Sequence, residues 1–401
     1  MTQPTQKIAM ASRQYGSDGY SLRGFGRMLN DKQRTDPYIE AIRRYVTPTT
    51  VFFDIGTGPG ALALLAAHLG AARVYAIEPD NSIEVAKLCA AGAPGADRIT
   101  WIQGLSTEIE LPEKADLIVG DLHGTMPFYN GNIPSLVDAR HRHLAPGGRI
   151  LPARDILRAV PANAPKEYDL DEPWGKNRFG IDLSAGRPFV ANSWWRAEAD
   201  TVDKARFLSD VATWGTIDYM TVDTSNVDGT MHWHIESEDT MHGYYVWFDG
   251  EIADGLGFSN TPLSPELVYG RGFFPLEKPV HVVPGDEVST RMSVKLMGEE
   301  HTYRWDTRIT GADGTVKASF RQSTFRSKPI SLERLRQLAP DHVATLSANG
   351  QIDEFVLHSI LQAMSLGAVA KALVARFPKV FADETTALAR VTKLVLKYSE
   401  A

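Results

Sequence analysis

Val51-Phe52-Phe53-Asp54-Ile55-Gly56-Thr57-Gly58-Pro59-Gly60-Ala61 passes from an apolar run through a glycine-rich turn into an Ala- and Leu-rich stretch that continues to Leu69. The pattern reads as a buried strand, a sharp turn and a buried helix. Gly56 and Gly58 allow the turn and let the backbone come close to a ligand. The helix start behind them offers unpaired N–H groups. The next strand, Arg73 to Glu78, ends in an acid placed to accept hydrogen bonds from a ribose hydroxyl pair. The glycines fall at every second position, unlike the dinucleotide fingerprint, and the Lys-Ser/Thr of a phosphate-binding loop is missing. With no diphosphate cradle, the unit leans towards S-adenosylmethionine among adenosine cofactors.

Working outward, Asn81 to Ala90 reads as a helix, and Ile99 to Gln103 and Ala115 to Gly120 as strands. Strands alternating with helices predict a parallel, doubly wound sheet. Leu144 to Pro152 reads as a turn into a further strand and a domain edge. Beyond it, Met231 to Ile235, Gly243 to Phe248, Val280 to Val283, Val288 to Leu296 and His301 to Ile309 read as short strands between turns. They predict an antiparallel sandwich or barrel. A mixed stretch, Pro161 to Tyr219, includes a helix-like segment, Thr201 to Leu208. From Ser331 the chain reads as helical: Leu332 to Leu338, Glu354 to Met364, Leu366 to Arg376 and Thr385 to Tyr398.

The 401 residues are 43% hydrophobic and 23% charged, which excludes a mainly disordered chain. Length alone suggests two to three domains at roughly 150 residues each. The net charge of -7 argues against a general nucleic-acid binder. No apolar run reaches the roughly 18 to 20 residues of a membrane span. The single cysteine, Cys89, excludes an intramolecular disulfide and Cys-rich zinc sites. The first residues have no signal-type apolar core, so a cytoplasmic protein is expected.

Beyond the turn, Met28-Leu29-Asn30-Asp31-Lys32-Gln33-Arg34-Thr35, Leu111-Pro112, Phe128-Tyr129, Leu144-Ala145-Pro146-Gly147-Gly148 and Gly257 to Pro265 occur in an order that resembles the protein arginine methyltransferase family. The resemblance covers about residues 10 to 325. It implies an α/β Rossmann-like methyltransferase domain (1–152) with an N-terminal helix and an antiparallel β-barrel domain (153–328) with a dimerisation arm. A C-terminal small helical, winged-helix-like module (329–401) follows. The implied cofactor is S-adenosyl-L-methionine. Arg34 would meet its methionine carboxylate, Asp54 would orient the turn, and Gly56 and Gly58 would approach it. Glu78 would hold the ribose, Thr107 or Glu108 would lie near the adenine, and Met28 would pack beside the sulfonium.

The substrate loops depart from the family. Two glutamates would flank the loop after the fourth strand, but Asp121 and Asn130 stand there. Leu267-Val268-Tyr269 replaces the family's Thr-His-Trp. One carboxylate cannot reproduce a double clamp on a guanidinium, so an acceptor other than the usual arginine is expected. His123 is the base candidate of the loop, and Tyr129 lines or covers the pocket. The expected activity is methyl transfer to nitrogen or oxygen of a peptide or natural-product substrate. The alternatives are an arginine methyltransferase with a reduced clamp and a non-catalytic protein that keeps the fold.

His232 and His234, spaced two apart on a strand near His242, form a weak metal pattern, and no metal is expected. Arg140-His141-Arg142-His143 reads as the solvated end of a helix. Trp194 and Trp195 lie where the family carries its arm, which suggests a homodimer if they are exposed. The C-terminal module is similar to leader-peptide-binding domains, which recognise a precursor peptide by strand addition or in a groove.

Overall fold

The computed structural model describes residues 21–399 apart from 130, 170–171, 176, 198–201, 203–205, 266 and 299. The described chain separates into two compact units, one ending at Pro329 and one beginning at Ile330.

In the first unit, α1 (Leu22–Asn30) and α2 (Lys32–Tyr45) precede β1 (Val51–Ile55), α3 (Ala61–His68), β2 (Arg73–Glu78) and α4 (Ser82–Ala90). Then come β3 (Ile99–Gln103), β4 (Ala115–Val119), α5 (Asn132–His143) and β5 (Leu144–Leu151). The five strands form a parallel sheet in the order β3-β2-β1-β4-β5. All of β1 is buried, as a strand covered on both faces must be, which accounts for its unbroken apolar run. Strand order reverses between β1 and β4. Ligands bind outside the carboxyl ends of strands at such a switch point. The glycine turn leaves β1 there and Asp121 leaves β4 there.

The strands that follow are β6 (Arg154–Asn163), β7 (Trp195–Arg196), β8 (Arg206–Phe207), β9 (Ala212–Asp218), β10 (Val227–His234) and β11 (Asp239–Ala253). They continue with β12 (Leu256–Ser259), β13 (Gly272–Val282), β14 (Glu287–Met297), β15 (Glu300–Thr310) and β16 (Val316–Ser323). One antiparallel sheet runs β10-β14-β15-β16. The other runs β7-β13-β11-β6-β8, with β12 on β11 and β9 on β6. β9 lies beside β10 and β13 beside β16, which closes the sheets into a barrel. A single apolar core joins Phe53, Ile118 and Leu136 of the parallel-sheet layer to Trp214, Tyr244 and Trp305 of the barrel.

β6 and β9 were hidden in sequence because Pro161 interrupts one and Gly215 the other. Pro161 still fits, because it lies opposite Tyr244 at a register position where its carbonyl serves Leu208. Gly215 is required there: a Cβ would stand 2.4 Å from Val227 Cγ1. The helix expected over 201–208 is not formed at its end, where Arg206 and Phe207 pair with β6 as a strand. Residues 201 and 203–205 lie outside the described residues.

The second unit holds α6 (Leu332–Gln337), α7 (Ala348–Leu361), α8 (Leu366–Arg376) and α9 (Glu384–Tyr398). Ser331, Ser347, Ser365 and Asp383 each cap one of these helices by accepting the N–H three residues on. Ile352, Val356, Val369, Leu373 and Val391 form its own small core. The winged-helix expectation is corrected: among the described residues this unit has no strand. It therefore offers no wing, and no edge for recognition of a peptide by strand addition.

Candidate functional site

Helix α3 starts at Gly60, whose lack of a side chain leaves the helix without a local cap. Asp54, at the end of β1, takes over. Its Oδ2 accepts the Thr57 hydroxyl at 2.6 Å and the Ala63 N–H at 3.1 Å. One carboxylate thus ties the strand, the turn and the helix start together. Burial pushes Asp54 up to about 7, against the pull of those two bonds.

Gly56 and Gly58 have φ of 71° and 52°, the left-handed region that glycine tolerates. A Cβ on Gly58 would stand 2.7 Å from Phe25 Cε1, and one on Gly56 2.4 Å from Leu122 Cδ2. Phe25 therefore lays α1 across the turn, a role that sequence reading missed. Glu78 is buried at the end of β2. Its Oε2 accepts from the Gly58 N–H at 2.9 Å and its Oε1 from the Asp80 N–H at 3.0 Å. Burial raises its pKa against these bonds.

The segment after β3 is anchored to the same strand end by the Gly104 N–H, 3.2 Å from the Glu78 carbonyl. Thr107 is half-buried there and Glu108 is exposed. Met28 is half-buried on α1, and its carbonyl accepts from Arg34 Nη1 at 2.9 Å.

A second cluster adjoins the first. Arg34 forms an ion pair with Asp121 and donates from Nε to the Tyr269 hydroxyl at 2.9 Å. Tyr269 in turn donates to Asp121 Oδ1. His123 bridges two carboxylates: Nδ1 is 3.2 Å from Asp121 Oδ1 and Nε2 is 2.9 Å from Asp155 Oδ2. Tyr219 donates to Asp155 Oδ2 at 2.6 Å and accepts from Asn132 Nδ2 at 3.1 Å. The His123 ring stacks on Phe248 with centroids 5.0 Å apart. The Tyr38 hydroxyl is buried beside this group with no hydrogen-bond partner among the described residues.

Burial opposes charge on Arg34, Asp121 and His123, but pairing prevails there. Asp121 is held below the usual carboxylate range by Arg34 and by its bonds to His123 and Tyr269. Burial alone would lower His123, yet Asp155 and Asp121 raise it to about 9. A carboxylate at each nitrogen and a raised pKa favour the imidazolium form of the ring. His123 thus differs from the base of ordinary pKa that was expected: both of its nitrogens are engaged by carboxylates and its pKa is raised.

Tyr129 is 43% exposed and folds over Gly124, where a Cβ would meet its Cγ at 2.8 Å. Asn130 lies outside the described residues. Asp155 and Tyr219 escaped sequence reading. The available signal was an acid at an inward position of a strand, Asp155 in β6.

The remaining motifs stand apart. His232 and His234 are exposed on β10, whereas His242 is buried and accepts from the Ala164 N–H at 3.3 Å. No group of metal-holding side chains occurs among the described residues. Arg140 donates to the Tyr219 and Val222 carbonyls and pairs with Asp223, so it fastens the barrel to α5. Trp194 stacks flat on Phe274 at 5.5 Å, and Trp195 donates to Glu167. Both tryptophans are half-buried against these partners, so they do not form an exposed pair. Among the described residues, the exposed apolar side chains of the region include Trp174, Phe179, Ile181 and Phe189. No helix of the described residues is long and apolar enough to cross a membrane.

Comparison with known proteins agrees with this geometry. Residues 31–151 match the family model of ribosomal protein L11 methyltransferase (PrmA). Residues 164–308 match that of the arginine methyltransferase oligomerization subdomain. The chain is 30% identical over 232 residues to probable protein arginine N-methyltransferase 6 of Arabidopsis thaliana, covering 56% of this chain and 53% of that protein. It is 28% identical over 310 residues to protein arginine N-methyltransferase 1 of Schizosaccharomyces pombe, covering 75% and 90%. It spans about half the length, 53%, of the Arabidopsis protein and of a rice histone-arginine methyltransferase relative.

Among solved structures, the Trypanosoma brucei PRMT1 enzyme-prozyme heterotetrameric complex with AdoHcy superposes with a TM-score of 0.67 at 23% identity, covering 76% of this chain and 99% of that one. Arabidopsis thaliana protein arginine methyltransferase 10 gives 0.65 at 20% identity, covering 76% and 97%. Parallel sheet, barrel and family models agree: the chain has a class I methyltransferase fold like that of the protein arginine methyltransferases it resembles.

Proposed function

We propose that this protein is an S-adenosylmethionine-dependent methyltransferase whose acceptor is nitrogen or oxygen of a peptide or natural product rather than a standard arginine. The cofactor assignment rests on the turn. Glu78 presents a buried carboxylate at the strand end, and Gly58 and Gly56 leave no room for side chains. Arg34 commits three of its N–H groups to Met28, Tyr269 and Asp121. A guanidinium has five, so two remain for a carboxylate. Thr107 and Glu108 would flank an adenine, and Met28 would lie beside the sulfonium. When bound, the cofactor supplies an already activated methyl group. The chain's work is then to hold the acceptor in line, exclude water and leave its lone pair free.

One observation carries the acceptor reading. Asp121, the single carboxylate where the family's double clamp would start, is engaged within the chain by Arg34, Tyr269 and His123. With Asn130 as the other loop position, a hydrogen-bonding pocket fits better than a cation clamp. Tyr129 would cover it. In this proposal residues 1–152 hold the cofactor, 153–328 shape the acceptor pocket, and 329–401 form an appended helical module in a cytoplasmic protein. A homodimer through the 164–308 region is supported by the exposed Phe179 and Ile181 and by the name of the family model matched there.

Binding of S-adenosylhomocysteine, followed by calorimetry and thermal shift, tests the cofactor reading. At a hundredfold excess over Kd the expected stabilisation is about 2.7 kcal/mol. No stabilisation at millimolar ligand would point instead to a protein that keeps the fold without the chemistry.

A further inference from the structure

The cluster at the switch point contains two cations, Arg34 and His123, and two anions, Asp121 and Asp155. Each is met by a partner inside the chain, and Asp155 Oδ1 is the one oxygen of the two carboxylates left without a partner among the described residues. The side chains of His123 and Asp155 have no solvent exposure, and that of Asp121 is 5% exposed. The nearest further acids are also engaged. Asp31 accepts the Val268 N–H at 2.8 Å and the Arg34 N–H at 3.4 Å, and Asp54 is bonded to Thr57 and Ala63. The hydroxyls of Tyr219 and Tyr269 face the carboxylates as neutral donors. The contact cluster therefore sums to zero charge before any acceptor arrives.

A guanidinium entering such a pocket would have to leave water without an unmatched carboxylate to receive it, which disfavours binding. A neutral amide, hydroxyl or imidazole would meet no such penalty. We propose that His123 is the specificity-determining residue of the acceptor pocket. It acts as an internal cation, held between Asp121 and Asp155, that satisfies the charge a guanidinium acceptor would otherwise use and restricts the pocket to neutral nitrogen or oxygen acceptors. This inference rests on the methyltransferase reading above and names the residue behind its acceptor class. Asp155 is then a positioning residue: it holds the ring from the barrel side, while Phe248 fixes the ring plane.

Removing the ring's charge should leave the cluster at -1, and removing Asp155's as well should return it to zero. The full chain, saturated with S-adenosylhomocysteine, is titrated calorimetrically with N-acetylarginine amide. The expected result is no measurable binding to wild type, at least about tenfold tighter binding to His123→Gln, and loss of that gain in His123→Gln/Asp155→Asn. Equal binding to wild type and His123→Gln, or a gain that persists in the double variant, overturns the inference. Failure of wild type to bind S-adenosylhomocysteine would instead sink the underlying methyltransferase reading. If the variants do not fold, the wild-type ring decides. In the nitrogen-15 NMR spectrum of histidine-labelled protein at pH 7.5, His123 should carry protons on both nitrogens, and a neutral ring overturns the inference.

Discussion

Arg34 on α2 is ion-paired with Asp121 just after β4, so the second helix is tied to the loop that leaves the fourth strand. The pair is almost dry, with side chains 13% and 5% exposed. Removing one partner strands the other. Asp121→Ala should cost about 3–5 kcal/mol, as expected for an uncompensated buried charge. Arg34→Ala should cost a similar amount, and the double variant clearly less than the sum. Urea denaturation of the four proteins closes this cycle, and additive losses would show that the two side chains do not act as a pair.

His123 gives the fold a pH signature. Its ordinary value of 6.5 is raised to about 9, so the folded state binds its proton more tightly than the unfolded chain does. The stabilisation is complete below about 6.5 and is lost as pH rises through about 9. We predict that the stability difference between wild type and His123→Gln is largest near pH 6 and shrinks steadily to pH 10. Denaturation curves across that range read it directly. A difference that grows with pH would mean the ring is buried neutral.

Asp54 behaves in the opposite sense. Burial raises it from 3.8 to about 7, so ionisation costs stability progressively between those values and in full above them. Asp54→Asn keeps an acceptor oxygen for Thr57 and Ala63 and removes that cost. It should be at least as stable as wild type above pH 7. Asp54→Ala leaves two buried donors unmet and should lose about 2–4 kcal/mol at low pH, a loss that shrinks as pH rises towards 7. Thermal unfolding of both variants at pH 5 and 8 separates the two effects.

Gly58 and Phe25 form a testable contact. Gly58→Ala adds a Cβ 2.7 Å from the Phe25 ring in left-handed backbone, so α1 should be pushed off the turn. S-adenosylhomocysteine affinity should fall at least about tenfold, or 1.4 kcal/mol. Phe25→Ala in the same chain should recover part of it by relieving the clash, though not the backbone strain. No recovery would assign the whole loss to backbone.

The first four strands of the parallel sheet were legible because each is a short run rich in apolar residues closed by glycine or acid, a pattern that is local. The glycine turn, Asp54 and Glu78 were legible for the same reason: their partners lie within about one βαβ unit. The acceptor cluster was not. Asp121 meets Arg34, His123 meets Asp155, and Tyr269 reaches both Arg34 and Asp121 from the barrel, across separations that no local pattern records. The pairing of His123 was not legible because Asp155, which holds its Nε2, lies 32 residues away. Barrel strands β6 and β9 were obscured by Pro161 and Gly215, whose tolerance depends on tertiary register. The C-terminal helices were readable by their Ser and Asp caps, but caps carry no information about a wing.

The most direct measurement is a competition for the methyl group. Full-length protein receives radiolabelled S-adenosylmethionine with an equimolar mixture of arginine-rich peptides and peptides encoded beside its gene, and the labelled residue is located by mass spectrometry. The account predicts label on a neutral nitrogen or oxygen and none on arginine. Label on arginine that disappears in Asp121→Ala would contradict it, because Asp121 would then be serving as a cation clamp despite Arg34 and His123.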